Sequence, residues 1–271
     1  MKKILLFALS MTFFATYAQK NNVTFELSTQ LIEGGDYKVE LILPPNYDAN
    51  KAYPAFYFLD QQLADSLMKA VVDSLLHNKL VQPFLFVGIS CNDTSRWCSF
   101  QRSRDFSPTY NVEEDLYLGL KDTSKHVSGG GPNFLNFLKQ ELIPEVEKRH
   151  KVSERALFGI SFSGLFVSYV LLDSPQLFSS YSIGAPTLWY DNNKLLKQFE
   201  KANPKNFESV RLVYLGIGEK EVLANFNAFN TFSAILAQKE VLLKKEVYQG
   251  KDHIGIWKPY LINAMLNVFP K

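Results

Sequence analysis

Cysteine and histidine are scarce: two of the first and four of the second among 271 residues. Cys91 and Cys98 have no second cysteine pair to join them, so the two-plus-two ligand spacing of a structural zinc site is absent. Two readings of the pair remain open, a disulfide pinning the loop that follows a strand or two separate thiols; an exported chain lives where the first persists. Excess charge of either sign is also lacking. Lys plus Arg number 29 and Asp plus Glu 27, a net charge of +2. The two signs are interspersed with no basic run, so the composition implies no nucleic-acid or other polyanionic partner. No internal repeat is present, and the nearest approach to a low-complexity linker is the short Ser128-Gly129-Gly130-Gly131. These absences exclude a repeat array and a string of linked domains, and leave one large domain or a domain with an insertion. A hydrophobic content of 46% is ample for a core and argues against disorder.

Long apolar runs are missing except at the start. Lys2 and Lys3 form a positive segment, residues 4–14 are apolar, and Thr16-Tyr17-Ala18 supplies small residues at the cleavage positions. This is the pattern of a secretory signal peptide over residues 1–18, cut between Ala18 and Gln19. The rival reading is a membrane anchor, but the run is shorter than the ~20 residues that a spanning helix needs. No cysteine lies near the cut to carry a lipid. The mature chain, residues 19–271, is therefore expected to be exported to a periplasmic or extracellular space, with no stable membrane insertion after cleavage.

What is present alternates between strand and helix patterns. Residues 23–31 and 37–43, rich in β-branched and aromatic side chains and split by Gly34-Gly35, predict an antiparallel hairpin. The runs AFYFL (55–59) and FLFVGI (84–89) are continuously apolar, as in strands covered on both faces. Further strands are expected at 181–183, 209–216 and 241–248. Helices are expected over 63–78, 226–238 and 256–269. Another is expected over 132–149, where Phe134, Leu138 and Leu142 recur every four residues and Pro132 suits the first turn. Residues 90–131 read as a long irregular loop, and such loops in compact domains are usually functional. The alternation predicts an α/β fold, a mostly parallel sheet with helices on both faces, in which ligands sit at the carboxyl ends of the strands.

The most informative stretch is Ala156-Leu157-Phe158-Gly159-Ile160-Ser161-Phe162-Ser163-Gly164-Leu165. A buried strand turns around a serine and runs directly into a helix with Leu165, Tyr169 and Leu172 on one side. That is the setting of a nucleophile elbow, with Ser163 standing where G-x-S-x-G has its second glycine; the plainer reading is a Gly-Ser turn between two elements. A serine nucleophile needs a base, and the base needs a group to orient it. His77 ends a helix and reads as solvated. His126 lies in the long loop. His150 follows Glu147-Lys148-Arg149, where a cation favours the helix dipole. His253 follows the last strand, the place of the base in the chain order Ser, acid, His. The acid should follow the strand ending at Gly216, where Glu219 and Glu221 stand. Glu221 is preferred, against the alternative that both are first-turn helix acids; Asp252 is a weaker candidate, because a direct neighbour of the histidine rarely reaches its ring nitrogen. A tetrahedral intermediate needs two backbone N–H donors. Phe162, just after the nucleophile, supplies one, and the turn Asp60-Gln61-Gln62 the other, Gln61 ahead of Gln62.

Four stretches together resemble the putative esterase family of the α/β-hydrolase superfamily, the group that includes enterochelin-type siderophore esterases and esterase D-like enzymes. PAFYFLD (54–60) is similar to the family strand ending Leu-Asp-Gly. RSRDFSPT (102–109) is similar to its Arg-Asp-x-x-Pro-Thr loop. The helix from Phe134 leading into Ala156–Phe166 resembles its helix running into Gly-His-Ser-Phe-Gly-Gly-Leu. SIGAPTLWYDN (182–192) resembles its Ser-Pro-Ser-Leu-Trp segment. The resemblance implies the α/β-hydrolase fold, a serine esterase activity with Ser161 and His253 in their roles, and Glu221 as the acid. It requires no cofactor and no metal. The chain departs from the family pattern at Ile160 (His), Ser163 (Gly) and Gln61 (Gly); the last two touch the elbow and the oxyanion hole. Arg102 and Arg104 are candidates for an anionic or catechol-bearing substrate, or for a structural pairing with Asp105. Trp189 and Tyr190 are candidates for stacking on a planar group, or for the core. The resemblance admits small-molecule esters of several kinds: siderophore lactones, feruloyl or acetyl sugars, and thioesters. An acyltransferase and a non-catalytic ligand-binding relative on the same fold remain as alternatives.

Overall fold

The computed structural model describes residues 22–91, 98–120 and 126–271; the expected signal peptide lies outside them. The alternating segments NVTFELST and GDYKVELI form β1 (Asn22–Thr29) and β2 (Gly35–Ile42), an antiparallel pair in register from Asn22↔Ile42 to Thr29↔Gly35. The continuously apolar β3 (Tyr53–Leu59) and β4 (Leu85–Cys91) are buried throughout, apart from the half-buried Cys91. With β5 (Val152–Ile160), β6 (Ser180–Gly184), β7 (Leu212–Gly218) and β8 (Leu243–Tyr248) they complete an eight-stranded sheet of order β1-β2-β4-β3-β5-β6-β7-β8. β2 meets β4 antiparallel, and every pairing from β4 to β8 is parallel. The expected α/β-hydrolase architecture with an antiparallel N-terminal hairpin is what the chain adopts.

Because side chains alternate along a strand, each face of the sheet collects its own aromatic cluster. Phe56, Phe58 and Phe158 lie on one face and pack with Tyr260 of α9 (Trp257–Val268), which stacks on Tyr214 with ring centroids 5.4 Å apart. Tyr37 lies on the other face against Phe134 and Phe137 of α4 (Gly131–Phe137), and Phe134 in turn meets Phe166 of α6 (Phe162–Asp173). Each such fully buried ring contributes about 1.5–3 kcal/mol by leaving water. The sheet is thus clamped from both sides, and its carboxyl edge is held still enough to carry a site.

The expected helix over 132–149 is α4 and α5 (Ile143–Arg149) joined by a wide π turn, Leu138–Leu142. The wide turn sits just ahead of Pro144, which has no N–H to give to the ladder. Two expectations need correction. α1 (Gln61–His77) begins two residues earlier than read, because Asp60 adopts the left-handed conformation, φ 63°, and turns the chain at once. The stretch 90–131 is not irregular throughout: it holds α2 (Ser99–Phe106) and α3 (Val112–Tyr117). α2 was hidden because charge pairing, not an apolar stripe, holds it, while Asn111 caps α3 by accepting from the Glu113 N–H at 2.9 Å. Cys91 and Cys98 form a disulfide, with Cα atoms 6.4 Å apart, tying the start of α2 to the end of β4. α7 (Tyr190–Lys201) and α8 (Leu223–Ala237) complete the helices used below.

Candidate active site

Ser161 is the single residue between β5 and α6, and its backbone is strained, φ 63° and ψ −120°. A side-chain-bearing residue held there costs about 1–3 kcal/mol. The turn is pinned on every side: Ser161 donates its N–H to Gly184 at 2.9 Å, and its carbonyl accepts from Leu165 at 3.0 Å and Thr187 at 3.2 Å. The crossing is tight. A Cβ on Gly159 would lie 2.5 Å from the Ser163 carbonyl oxygen, so position 159 admits only glycine.

Ser163, where the resemblance places glycine, is fully buried. Its hydroxyl accepts from the Ile160 N–H at 3.1 Å and donates to the Ile160 carbonyl at 2.9 Å. The reason is topological. The last rung between β3 and β5 is Phe58↔Phe158. Since Ser161 points its N–H toward β6, Ile160 faces the β3 side, beyond that last rung. Ser163 satisfies both polar groups that the departing strand leaves behind, so the departure from glycine closes the turn.

Glu221 and His253 come from the loops after β7 and β8. His253 Nδ1 meets Glu221 Oε2 at 2.6 Å. The Glu221 side chain is 3% exposed and that of His253 33%. Burial would raise the Glu221 carboxyl, but the hydrogen bond and charge of His253, with the Val222 N–H and Asn225, outweigh it and hold its pKa below the usual carboxylate value. Glu219 has a different partner: its Oε2 accepts from the Gly250 N–H at 2.7 Å. Lys220 donates its N–H to Lys251 at 2.8 Å, and a Cβ on Gly218 would come within 2.5 Å of that same carbonyl oxygen. Two loops pressed this closely fix where His253 stands. Neither glutamate lies in the first turn of α8, which starts at Leu223; that alternative falls. Asp252 closes its own turn, accepting from Gly255 at 2.7 Å.

The other described histidines are elsewhere. His77 Nδ1 lies 2.9 Å from the Asp73 carbonyl on an exposed helix end, and His126 packs beside the Tyr110 ring. His150 bonds Tyr47 at 2.9 Å, and burial, helped by the Arg149 charge, pushes its pKa down. It is held toward its neutral form, contrary to the expectation of a cation at a helix end.

Ser161, Glu221 and His253 share the carboxyl edge of the sheet, following β5, β7 and β8. Among the described residues the Ser161 hydroxyl has no hydrogen-bond partner, so the structure joins Glu221 to His253 but does not close the link to the serine. Catalytic hydrogen bonds in unliganded enzymes are often long and tighten with substrate. Phe162, Gln61 and Gln62 are first-turn residues whose N–H groups have no acceptor four residues back. Gln61 turns its buried side chain to Glu40 and Asp65, at 3.1 and 3.0 Å. Gln62 fronts an open groove of about 700 Å³ that is also lined by Leu63, Ile254, Trp257 and Lys258.

Both candidate arginines are paired. Arg102 binds Asp60 through two nitrogens, and Arg104 binds Asp105 at 2.7 Å as well as the Gly34 carbonyl. The structural pairing with Asp105 is therefore realised for Arg104; the pairing of Arg102 with Asp60, 42 residues away, had no local signal. Tyr190 is buried, donates to the Thr109 carbonyl at 2.9 Å and meets the Phe162 ring edge-on, while Trp189 is half exposed. Sequence reasoning missed Asp60 and the bracing role of Ser163. Among the described residues no cluster of three or more His, Cys, Asp or Glu is arranged to hold a metal ion, and no helix is long and apolar enough to cross a membrane.

Comparison with known proteins gives the family and the fold. A family model described as "Putative esterase" matches residues 28–268. Ferri-bacillibactin esterase BesA of Bacillus subtilis is 27% identical over 252 residues, 86% of this chain and 84% of its own length. Siderophore enterobactin esterase of Emericella nidulans is 24% identical over 196 residues, covering 67% of this chain and 62% of the relative. Among solved structures, the BES protein from Bacillus cereus superposes with a TM-score of 0.75 at 22% identity, covering 100% of both chains. The enterobactin and salmochelin hydrolase IroE superposes with a TM-score of 0.73 at 22% identity, covering 92% of this chain and 95% of that one.

Proposed function

The chain belongs to the putative esterase family, and from that premise we propose that it is an exported serine hydrolase that cleaves carboxylic esters of siderophores. The observation that carries the mechanism is the 2.6 Å bond between Glu221 and His253 on the loops beside a strained Ser161. In this reading Glu221 keeps the proton of His253 on Nδ1, leaving Nε2 free to take the Ser161 hydroxyl proton as Oγ attacks the ester carbonyl. The Phe162 N–H and a first-turn N–H of α1, Gln61 or its neighbour Gln62, receive the charge on the carbonyl oxygen. His253 returns its proton to the departing alcohol, and a water then repeats the cycle on the acyl-enzyme. Trp189, half exposed just ahead of α7, is the stronger candidate for substrate contact; Arg102 and Arg104, with their charges paired, are the weaker ones. The substrate class is proposed from the two relatives, one named a ferri-bacillibactin esterase and the other a siderophore enterobactin esterase. Export is proposed from residues 1–18; β1 begins at Asn22, so a cut after Ala18 leaves the sheet whole.

The test is hydrolysis of p-nitrophenyl acetate, then of a siderophore ester followed by chromatography, by wild type and Ser161→Ala. Turnover and fluorophosphonate labelling of wild type alone are the expected result. Transfer of the acyl group to an added alcohol in place of hydrolysis would make the protein an acyltransferase. Tight binding of the siderophore with no turnover and no labelling would make it a binding protein.

A further inference from the structure

Arg102 stands beside the site, but its guanidinium is engaged from below. Nε donates to Asp60 Oδ1 at 2.8 Å and Nη2 donates to Oδ2 at 3.0 Å, a two-point pair. The Asp60 side chain is 1% exposed and that of Arg102 18%. Asp60 Oδ1 also accepts from Gln62 Nε2 at 3.1 Å. Asp60 is the residue between β3 and α1, left-handed at φ 63°. Its conformation decides where the peptides that follow, carrying the Gln61 and Gln62 N–H groups, are aimed. Left-handed backbone costs a residue other than glycine about 1–2 kcal/mol, so that aim needs outside support. A buried carboxylate stripped of its cation would itself rearrange toward water. The support comes from α2, which the disulfide ties to β4 at Cys98 and in which the Cys98 carbonyl accepts the Arg102 N–H at 2.9 Å.

We propose that Arg102 is a positioning residue: by clamping Asp60 it fixes the direction of the N–H groups at the head of α1 that receive the oxyanion, and it does not bind substrate. The proposal rests on the serine-hydrolase reading. Two p-nitrophenyl esters separate the roles, the neutral acetate and the anionic hemisuccinate. For Arg102→Ala, kcat should fall by the same factor on both, up to the roughly 10²–10³-fold that one oxyanion donor is worth, with KM nearly unchanged. Arg102→Lys should restore little, because an ammonium cannot make the two-point contact. Asp60→Asn, which keeps shape but removes the charge, should share the defect. The double variant Arg102→Ala/Asp60→Asn should be no worse than the more damaged single variant, since both break one clamp. Affinity for a boronate that mimics the tetrahedral state should drop in step with kcat, while affinity for the product acid stays put; a general loss of structure would weaken both. A raised KM for the hemisuccinate alone, with kcat on the acetate intact, would overturn the proposal and make Arg102 an anion ligand. A wild-type protein inert to both esters and to fluorophosphonate would overturn the serine-hydrolase reading, and this proposal with it.

Discussion

Replacing Ser163 by alanine deletes one oxygen, yet that oxygen serves two backbone groups. The Ile160 N–H and carbonyl, at 3.1 and 2.9 Å from it, face the side that β3 has already left, and Ser163 itself is fully buried. Each buried group left without a partner costs about 1–3 kcal/mol. Alanine returns a few tenths of a kcal/mol as the better helix former, so the net loss from the two groups should be about 2–5 kcal/mol. In a domain of this size each kcal/mol moves the melting temperature by about 2–4 °C, which places the fall at roughly 4–20 °C. Ser163→Gly should lose about 1 kcal/mol more, from backbone entropy in a helix, even though glycine is the residue that the family pattern holds there. Thermal melting followed by circular dichroism, with urea titration alongside, reads the loss directly. Fluorophosphonate should still label the variant at Ser161. An alanine variant that melts within about a degree of wild type would refute the reasoning, because the two Ile160 groups would then have found other partners.

Glu221→Gln should cost about 10⁴-fold in kcat by removing the carboxylate that orients His253 and stabilises the imidazolium formed during reaction, whereas Glu219→Gln should stay near wild type because an amide oxygen can still accept from Gly250; steady-state kinetics rank the two. The Glu221 pKa is depressed in the folded protein from the ordinary 4.5, so its contribution to stability is complete above that value and is lost as pH falls through the lower, folded one. The stability gap between wild type and Glu221→Gln should accordingly close on acidification below about pH 4.5, as melting curves across pH 3–7 would reveal. Reducing the Cys91–Cys98 bridge with a thiol should destabilise the protein by about 2 kcal/mol and lower kcat more than it changes KM, because it frees the helix that carries Arg102; equal activity in both redox states would separate the bridge from the site.

Legibility in the sequence followed the range of the interaction. β3 and β4 were readable because a strand covered on both faces needs an unbroken apolar run, and the elbow because strand, serine and helix are contiguous. The pairing of Glu221 with His253 was readable in part: the order of elements placed both at one edge, but the choice over Glu219 turns on which backbone N–H lies under each carboxylate, and no local pattern encodes that. No helix was expected at α7, whose first turn runs through three left-handed residues, Asp191, Asn192 and Asn193. Arg104 had its partner, Asp105, next to it in the chain, but Arg102 could not be apportioned between substrate and scaffold, because its partner, Asp60, is remote in sequence. Ser163 looked like an imperfection in a motif; only the point at which β3 stops pairing with β5 gives its hydroxyl a purpose.

The backbone of Ser161 carries a further implication. A glycine there would adopt φ 63° without penalty, so the inactive Ser161→Gly protein should melt higher than the active one. The chain thus holds a conformation that works against its own persistence at the one residue whose hydroxyl the proposed chemistry requires. Enzymes commonly trade endurance for reactivity in this way. A screen for heat-resistant variants would tend to recover changes at position 161 that silence the protein, so selection for robustness has to be run together with selection for turnover.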